Sequence, residues 1–405
     1  MPASSPRGWT AEELVYCSNV HPGENLPELL NSLKNYIARV RNQRGLRRSG
    51  SGLWICASLA NELVGDPSAQ TSLQNHLSDT GISLFTLNGF PYGDFHAASV
   101  KQQVYQPDWS QPARYNYTRQ LATILANCML TGDHEGTIST LPLGYRPDWN
   151  ADKHRAAMQA LCRLAGELHR LHKESGQNIR VCLEMEPGCV LESTSETIDF
   201  FTRQLPAAAE ETGTRREFID RHLGVCYDVC HQAVMFEDPA ESIAGLVAAG
   251  IEIGKIQISS ALEVAHPHEN DTRHLLQDFA EPKYLHQVRC RDENGCLQGV
   301  MDLPDAFDVK PLHQQHPWRV HFHVPIQTNT LCGSTLGTTQ GEIRSVLDFL
   351  AAHPDLHPHL EVETYTWQVL PEALRPHNDK QLIAGLTAEL TWLERELQQR
   401  GLLNQ

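Results

Sequence analysis

The sequence predicts an α/β fold closed into a (β/α)8 barrel. Three observations carry that expectation. Strand-like and helix-like segments alternate through most of the 405 residues, the signature of βα units around a parallel sheet. The strand candidates number eight or nine, more than an open doubly wound sheet usually holds. The first strand-to-helix turn has no GxGxxG, which weakens a dinucleotide-binding reading.

The elements follow in order. "LVYCSNV" (14–20) is a short β-rich run, and the helical stretch "LPELLNSLKNYIARV" comes next. "GLWICASLA" (52–60) and "ISLFTLNGF" (82–90) are the second and third strands, each followed by a helix. "TISTLPLGY" (137–145) is the fourth. From about Asn150 a long helix carries Leu161, Leu164, Leu168 and Leu171 on one stripe, at helical spacing. "RVCLEMEPG" (180–188) alternates Val181, Leu183 and Met185 and is the fifth strand. Ser193 and Glu196 are spaced as a capping box for the helix after it. "LGVCYDVCH" (223–231) is the sixth; Asp238-Pro239 opens its helix and Gly250 closes it. "GKIQISSAL" (254–262) is a seventh.

The rhythm then breaks. Residues 263–318 hold a helical piece, "TRHLLQDFAE", and two β-like runs joined by Asp292-Glu293-Asn294-Gly295. Asn-Gly between such runs suggests a hairpin. "WRVHFHVPI" (318–326) competes with "IQISSA" for the seventh barrel position. Thr339 and Glu342 match a second capping box, "HLEVETYTW" (359–367) is the last strand, and a long helix ends the chain. We expect one barrel domain over 12–400, with 263–318 as an insertion suited to a lid over the barrel mouth.

Composition narrows the function classes. With 33 basic and 49 acidic residues the formal charge is −16, so a duplex nucleic-acid surface is not expected. No apolar run approaches a membrane span. The N-terminus lacks a secretory pattern. Eleven scattered cysteines, among them Cys56, Cys128, Cys162 and Cys182 in apolar segments, suit a reducing, cytoplasmic setting. His134-Glu135-Gly136 lacks the second His of HExxH and reads as a loop. The oligomeric state is left open.

The chemistry concentrates at strand ends. A barrel gathers those ends on one rim, where barrel enzymes keep their sites. From strand five onward the rim residues are Glu184 and Glu186, Asp228 and His231, Gln257, His321 and His323, and Glu361 and Glu363. Residues two apart in a strand share a face, so the paired glutamates and paired histidines each point one way. Buried carboxylates gathered like this need positive charge. Mixed imidazole and carboxylate donors suit a divalent metal of intermediate hardness: Zn, Mn, Fe or Co. Taken singly, each residue reads as an ordinary structural His or an ion-paired acid; the signal is their convergence. "SNVHPGE" after strand one adds Asn19, His21 and Glu24 as pocket candidates, with loop capping as the plainer role. Phe90 and Trp367 are aromatic candidates for the pocket wall, with core packing the plainer role.

The series "YCSNVHPGE", "CLEMEPG", "YDVCH", "HFHVP" and "LEVETYTW" resembles the xylose isomerase-like TIM-barrel superfamily. More particularly, the chain resembles the EboE group, the metabolite-traffic barrels of bacterial ebo gene clusters. The superfamily resemblance implies a metal held by Glu184, Asp228, His323 and Glu363. Glu186, His321 and Glu361 stand as rivals for the first, third and fourth positions. It implies Glu184 and Glu363 as the acid–base pair. Substrate contacts would come from His231 and Glu186, with His321, Gln257, Asn19 and His21 as further candidates. If "KIQISSA" is strand seven, Gln257 or Ser259 stands where the superfamily has a His, and His323 or His321 substitutes from the next segment. The implied activity is isomerisation or epimerisation of a sugar or cyclitol in an ebo-type metabolite pathway. Two other readings compete: a non-catalytic metabolite-binding barrel, and a phosphodiesterase like the family-two apurinic endonucleases.

Overall fold

The computed structural model describes residues 8–130, 135–308, 312 and 315–404. Eight strands form one parallel sheet. They are β1 (Val15–Tyr16), β2 (Ser49–Trp54), β3 (Ile82–Asn88), β4 (Gly136–Thr140), β5 (Ile179–Glu184), β6 (Leu223–Asp228), β7 (Ile253–Ile258) and β8 (His359–Val362). Their order in space is β1-β8-β7-β6-β5-β4-β3-β2. The ends meet through one bridge, Cys17 to Gly52, so the sheet is a nearly closed barrel ringed by helices. Every residue of β5, β6 and β7 is buried, as expected of a parallel sheet covered on both faces.

Local sequence explains most helix boundaries. Asn150 caps the helix Ala151–Ser175 through the backbone N–H of Lys153, and Gly176 ends it at φ 77°, a left-handed conformation that suits Gly. Leu161, Leu164 and Leu168 of its stripe are buried in the main core. The Ser193–Glu196 capping box forms, and Asp238 caps with Pro239 in the first turn. The Thr339–Glu342 box does not form. The Thr339 hydroxyl accepts from the Ala261 backbone N–H at 2.8 Å instead, which ties the helix start to the segment leaving β7.

The two contenders for strand seven are resolved by pairing. Ile253–Ile258 lies between β6 and β8. Trp318–Val320 joins a second, antiparallel sheet. That sheet runs Leu297–Val300, Val288–Arg291, Trp318–Val320, Leu262–Val264, Leu336–Thr338, Thr330–Leu331. Its hairpin turns through Asp292–Gly295, with Gly295 at φ 79°. The sheet thus takes in residues on both sides of the 263–318 stretch. His321 and His323 follow its strand Trp318–Val320 in irregular backbone.

Inside the barrel sits a buried ion pair. Lys255 Nζ of β7 lies 2.5 Å from Glu361 Oε2 of β8, and neither side chain is exposed. Gly52 makes room for it. A Cβ there would fall 1.3 Å from Glu361 Oε1.

Candidate active site

The site is built where β5, β6 and β8 end. Glu184 is the last residue of β5 and Asp228 the last of β6. Glu363 follows β8 directly, and its backbone N–H donates to Ile258 O of β7. Ligand atoms of Glu184, Asp228 and Glu363 all lie within 4.8 Å of one another; so do those of Asp228, His231 and His323, and those of Cys230, His321 and His323. All of these residues are buried.

Each carboxylate is held by a different device. Asp228 Oδ1 accepts from the Ser259 hydroxyl at 2.8 Å and from the His231 backbone N–H at 2.8 Å. Glu363 Oε1 accepts from the side-chain amides of Asn19 and Asn88, each at 2.9 Å. Glu186 Oε1 accepts from Tyr105 Oη at 2.6 Å and from Gln287 Nε2 at 3.3 Å. Asp228 Oδ2 and Glu184 Oε2 are buried without a hydrogen-bond partner among the described residues, as is His323 Nε2. These three atoms are unfilled donors to a cation, which is what a metal-binding set requires.

The histidines are pre-oriented. His231 Nδ1 lies 2.8 Å from Met185 O, and His323 Nδ1 lies 2.7 Å from Glu363 O. His321 Nδ1 lies 2.6 Å from Gln287 Oε1. Carbonyl oxygens only accept, so each Nδ1 carries the proton and each Nε2 presents a lone pair. Outer partners of this kind fix the tautomer of metal-binding imidazoles.

Burial and mutual repulsion dominate the electrostatics. Desolvation, then Glu363 and Asp228, hold the Glu184 carboxyl well above its ordinary range. Burial, with Asp228 and Glu361, pushes Glu363 up to about 8. Burial also raises Glu186 and lowers His323 to about 4. Burial works against the Lys255 charge, but Glu361 outweighs it and holds that ammonium above its usual range.

A cavity of about 60 Å³ opens over this cluster. Asn19, Glu184, Glu186, His231, His321 and Glu363 line it, and Asp228 and His323 lie beneath them as buried neighbours. His21 and Gln257 do not line it. The His21 ring stacks on Tyr36, with Nε2 2.8 Å from Tyr16 Oη. Gln257 pairs in register with Asp228 and Glu361, and both its amide atoms lack partners among the described residues. Glu24 is also off the cavity, and Glu361 is engaged by Lys255. Phe90 lines the wall, whereas Trp367 is buried with Nε1 3.0 Å from Glu389 Oε2. His134 lies outside the described residues, and Gly136 opens β4.

Three contributors escape the strand-end pattern as read from strand five onward. Asn88 ends β3, so the same rim logic extended to earlier strands finds it. Tyr105 ends a short 3-10 helix, Lys101–Tyr105, and Gln287 lies just before the strand Val288–Arg291; both are outside any rim motif, and only the folded chain brings them to Glu186.

No family model matches the chain, and no curated protein does. Among solved structures it is similar to a xylose isomerase domain protein from Planctomyces limnophilus. That pair is 13% identical, covers 89% of this chain and 92% of the other, and has a TM-score of 0.48. A D-tagatose 3-epimerase-like protein is 11% identical over 96% of this chain and 98% of its own, with a TM-score of 0.46. An IOLI protein with a binding zinc atom is 10% identical over 95% and 98%, with a TM-score of 0.46.

Proposed function

We propose that the protein is a metal-dependent isomerase or epimerase of a small sugar-like or cyclitol substrate. One observation carries the reading: Glu184, Asp228 and Glu363 converge, buried, with Glu184 Oε2, Asp228 Oδ2 and His323 Nε2 unpartnered among the described residues. Within that class we assign the chain to the ebo-type metabolite-traffic barrels, on the strand-end motifs.

Glu184, Asp228, His323 and Glu363 would hold the ion, one of Zn, Mn, Fe or Co. When bound, such an ion polarises a carbonyl and neutralises negative charge that develops on it. The chain's own residues do the rest. Glu184 and Glu363 come from β5 and β8 and form the acid–base pair. One takes the proton from the carbon beside the carbonyl; the other returns a proton. The two asparagine amides on Glu363 Oε1 fix that carboxylate's orientation. His231 and His321 offer their Nε2 lone pairs to substrate hydroxyls, and Glu186 is aimed from the adjoining wall. His321 follows the second sheet's strand Trp318–Val320, and Tyr284 and Leu285 of the 263–318 insertion also line the cavity. We take the insertion as a lid that completes the site.

A chain charge of −16 disfavours cleavage of a nucleic-acid backbone. The test is bound metal, by elemental analysis, on native protein and on Asp228→Ala. About one equivalent lost in the variant, followed by turnover of a sugar or cyclitol, supports the proposal. Native protein that holds no metal and takes up no added Mn or Co overturns it in favour of a binding barrel.

A further inference from the structure

The two halves of the cavity differ in chemistry. The strand-end half carries the carboxylates and imidazoles. The loop half is built by Phe90, Phe95, Val100, Val104, Tyr284 and Leu285, from the segment after β3 and from the insertion. The closest polar contacts on that side are internal to the protein, and the Tyr365 hydroxyl lies 3.5 Å from His321 Nε2. Tyr105 Oη donates to Glu186 and accepts from Gln287. Tyr284 Oη reaches Phe95 O at 3.5 Å. Lys101 Nζ is paired with Asp302 at 2.5 Å. Phe95, Tyr284 and Tyr365 pack as a ring cluster, with centroids 5.1, 5.6 and 4.9 Å apart.

A ligand with hydroxyls on all sides would bury some of them against this wall without partners, which is costly. A ligand with one polar edge would not. Resting on the isomerase reading above, we infer that the substrate is amphipathic: a hydroxy-carbonyl head at Glu184, Glu363 and His231, joined to an apolar alkyl, alkenyl or aryl portion against Phe95, Val104 and Leu285. The apolar wall then supplies binding and expels water, while the head alone undergoes proton transfer.

Two α-hydroxyketones with the same reactive head test this. Dihydroxyacetone is polar at both ends; 2-hydroxyacetophenone carries a phenyl ring instead. Binding of each to manganese-loaded full-length protein is measured by calorimetry, and exchange of the hydroxymethyl hydrogens for deuterium by NMR. In the exchange the C–H bond breaks, its proton passes to a carboxylate, and a solvent deuteron returns to the same carbon. The phenyl compound is expected to bind at least about tenfold tighter. Val104→Thr, which keeps the shape and adds a hydroxyl, and Phe95→Ala should each shrink that ratio. Equal or tighter binding of dihydroxyacetone, or binding of neither, overturns the inference. If dihydroxyacetone also exchanges with the loaded protein, the isomerase reading survives that outcome. Conversely, protein that holds no metal and takes up no added manganese or cobalt but still prefers the phenyl compound keeps the amphipathic pocket and removes the isomerase.

Discussion

His231 Nε2 and His321 Nε2 face each other at 3.1 Å, while both rings spend their Nδ1 protons on other acceptors, Met185 O and Gln287 Oε1. Two lone pairs at that distance repel unless a donor or a cation comes between or beside them. Tyr365 Oη lies 3.5 Å from His321 Nε2, and a substrate hydroxyl or a cation beside the pair would relieve it further, so removing one ring should cost the unbound protein little. We expect His321→Gln to leave unliganded stability within about 1 kcal/mol of wild type, because the lost packing is offset by lost repulsion. Ligand affinity should fall about tenfold, the worth of one hydrogen bond, while bound metal stays constant. Thermal scans, titration calorimetry and elemental analysis read the three quantities. A variant that is strongly destabilised yet binds ligand normally would show that the pair is only structural.

The Lys255–Glu361 pair is fully buried, so breaking it from one side strands a charge. Lys255→Met should cost about 3–5 kcal/mol in urea unfolding. Adding Glu361→Leu should recover most of that loss, since a buried pair replaced by apolar groups is often neutral. Gly52→Ala should be destabilising for the same reason, because its methyl would displace the Glu361 carboxylate. A double variant no better than Lys255→Met alone would contradict this account.

Glu389 gives a pH signature away from the site. Its buried carboxyl accepts from Thr364, Trp367 and the Ile326 N–H, yet burial pushes it up to about 7 from 4.5. The folded chain therefore binds more protons than the unfolded one between those values. This group's share of stability is complete below about pH 4.5 and is lost as pH rises through 7. The loss approaches about 3 kcal/mol. Relative to wild type, Glu389→Gln should gain stability steadily from pH 5 to pH 8 in urea titrations. Parallel stability curves would refute the assignment.

The lid proposal makes a prediction about exchange. The Val100 and Lys101 backbone N–H groups both donate to Lys283 O, at 2.7 and 3.0 Å, and Lys101 Nζ pairs with Asp302. That pair is partly exposed, so it contributes at most about 1 kcal/mol globally. Lys101→Ala should barely move the melting temperature but should speed amide exchange at Val100, Lys101 and the 281–285 segment. Unchanged exchange there would mean the clasp does not depend on the pair.

Much of the rim was legible because strand alternation and strand ends are local properties. Glu184, Asp228 and Glu363 fall where β5, β6 and β8 stop, and a parallel barrel brings such positions together. The first strand and β2 were harder to read. β1 has only two paired residues, and β2 begins with Ser-Gly-Ser-Gly, whose small side chains carry no β signal. β1 is held by its pairing with β8 and β2 by its pairing with β3, and the small Gly52 leaves room for the Glu361 carboxylate.

By itself the sequence determined the alternation of strands and helices, the hairpin, most helix caps, and the kinds of side chain that reach the barrel mouth. Each depends on spacing within a few residues. Tertiary structure alone decided which segment is strand seven. It placed His321 and His323 at the site from outside the barrel, and it gave Ser259 to Asp228, Gln287 to His321 and Lys255 to Glu361. Those pairings join residues 31, 34 and 106 positions apart. Hydrogen bonds and ion pairs over such separations are set by how the chain packs, and packing is a property of the whole barrel rather than of any stretch within it.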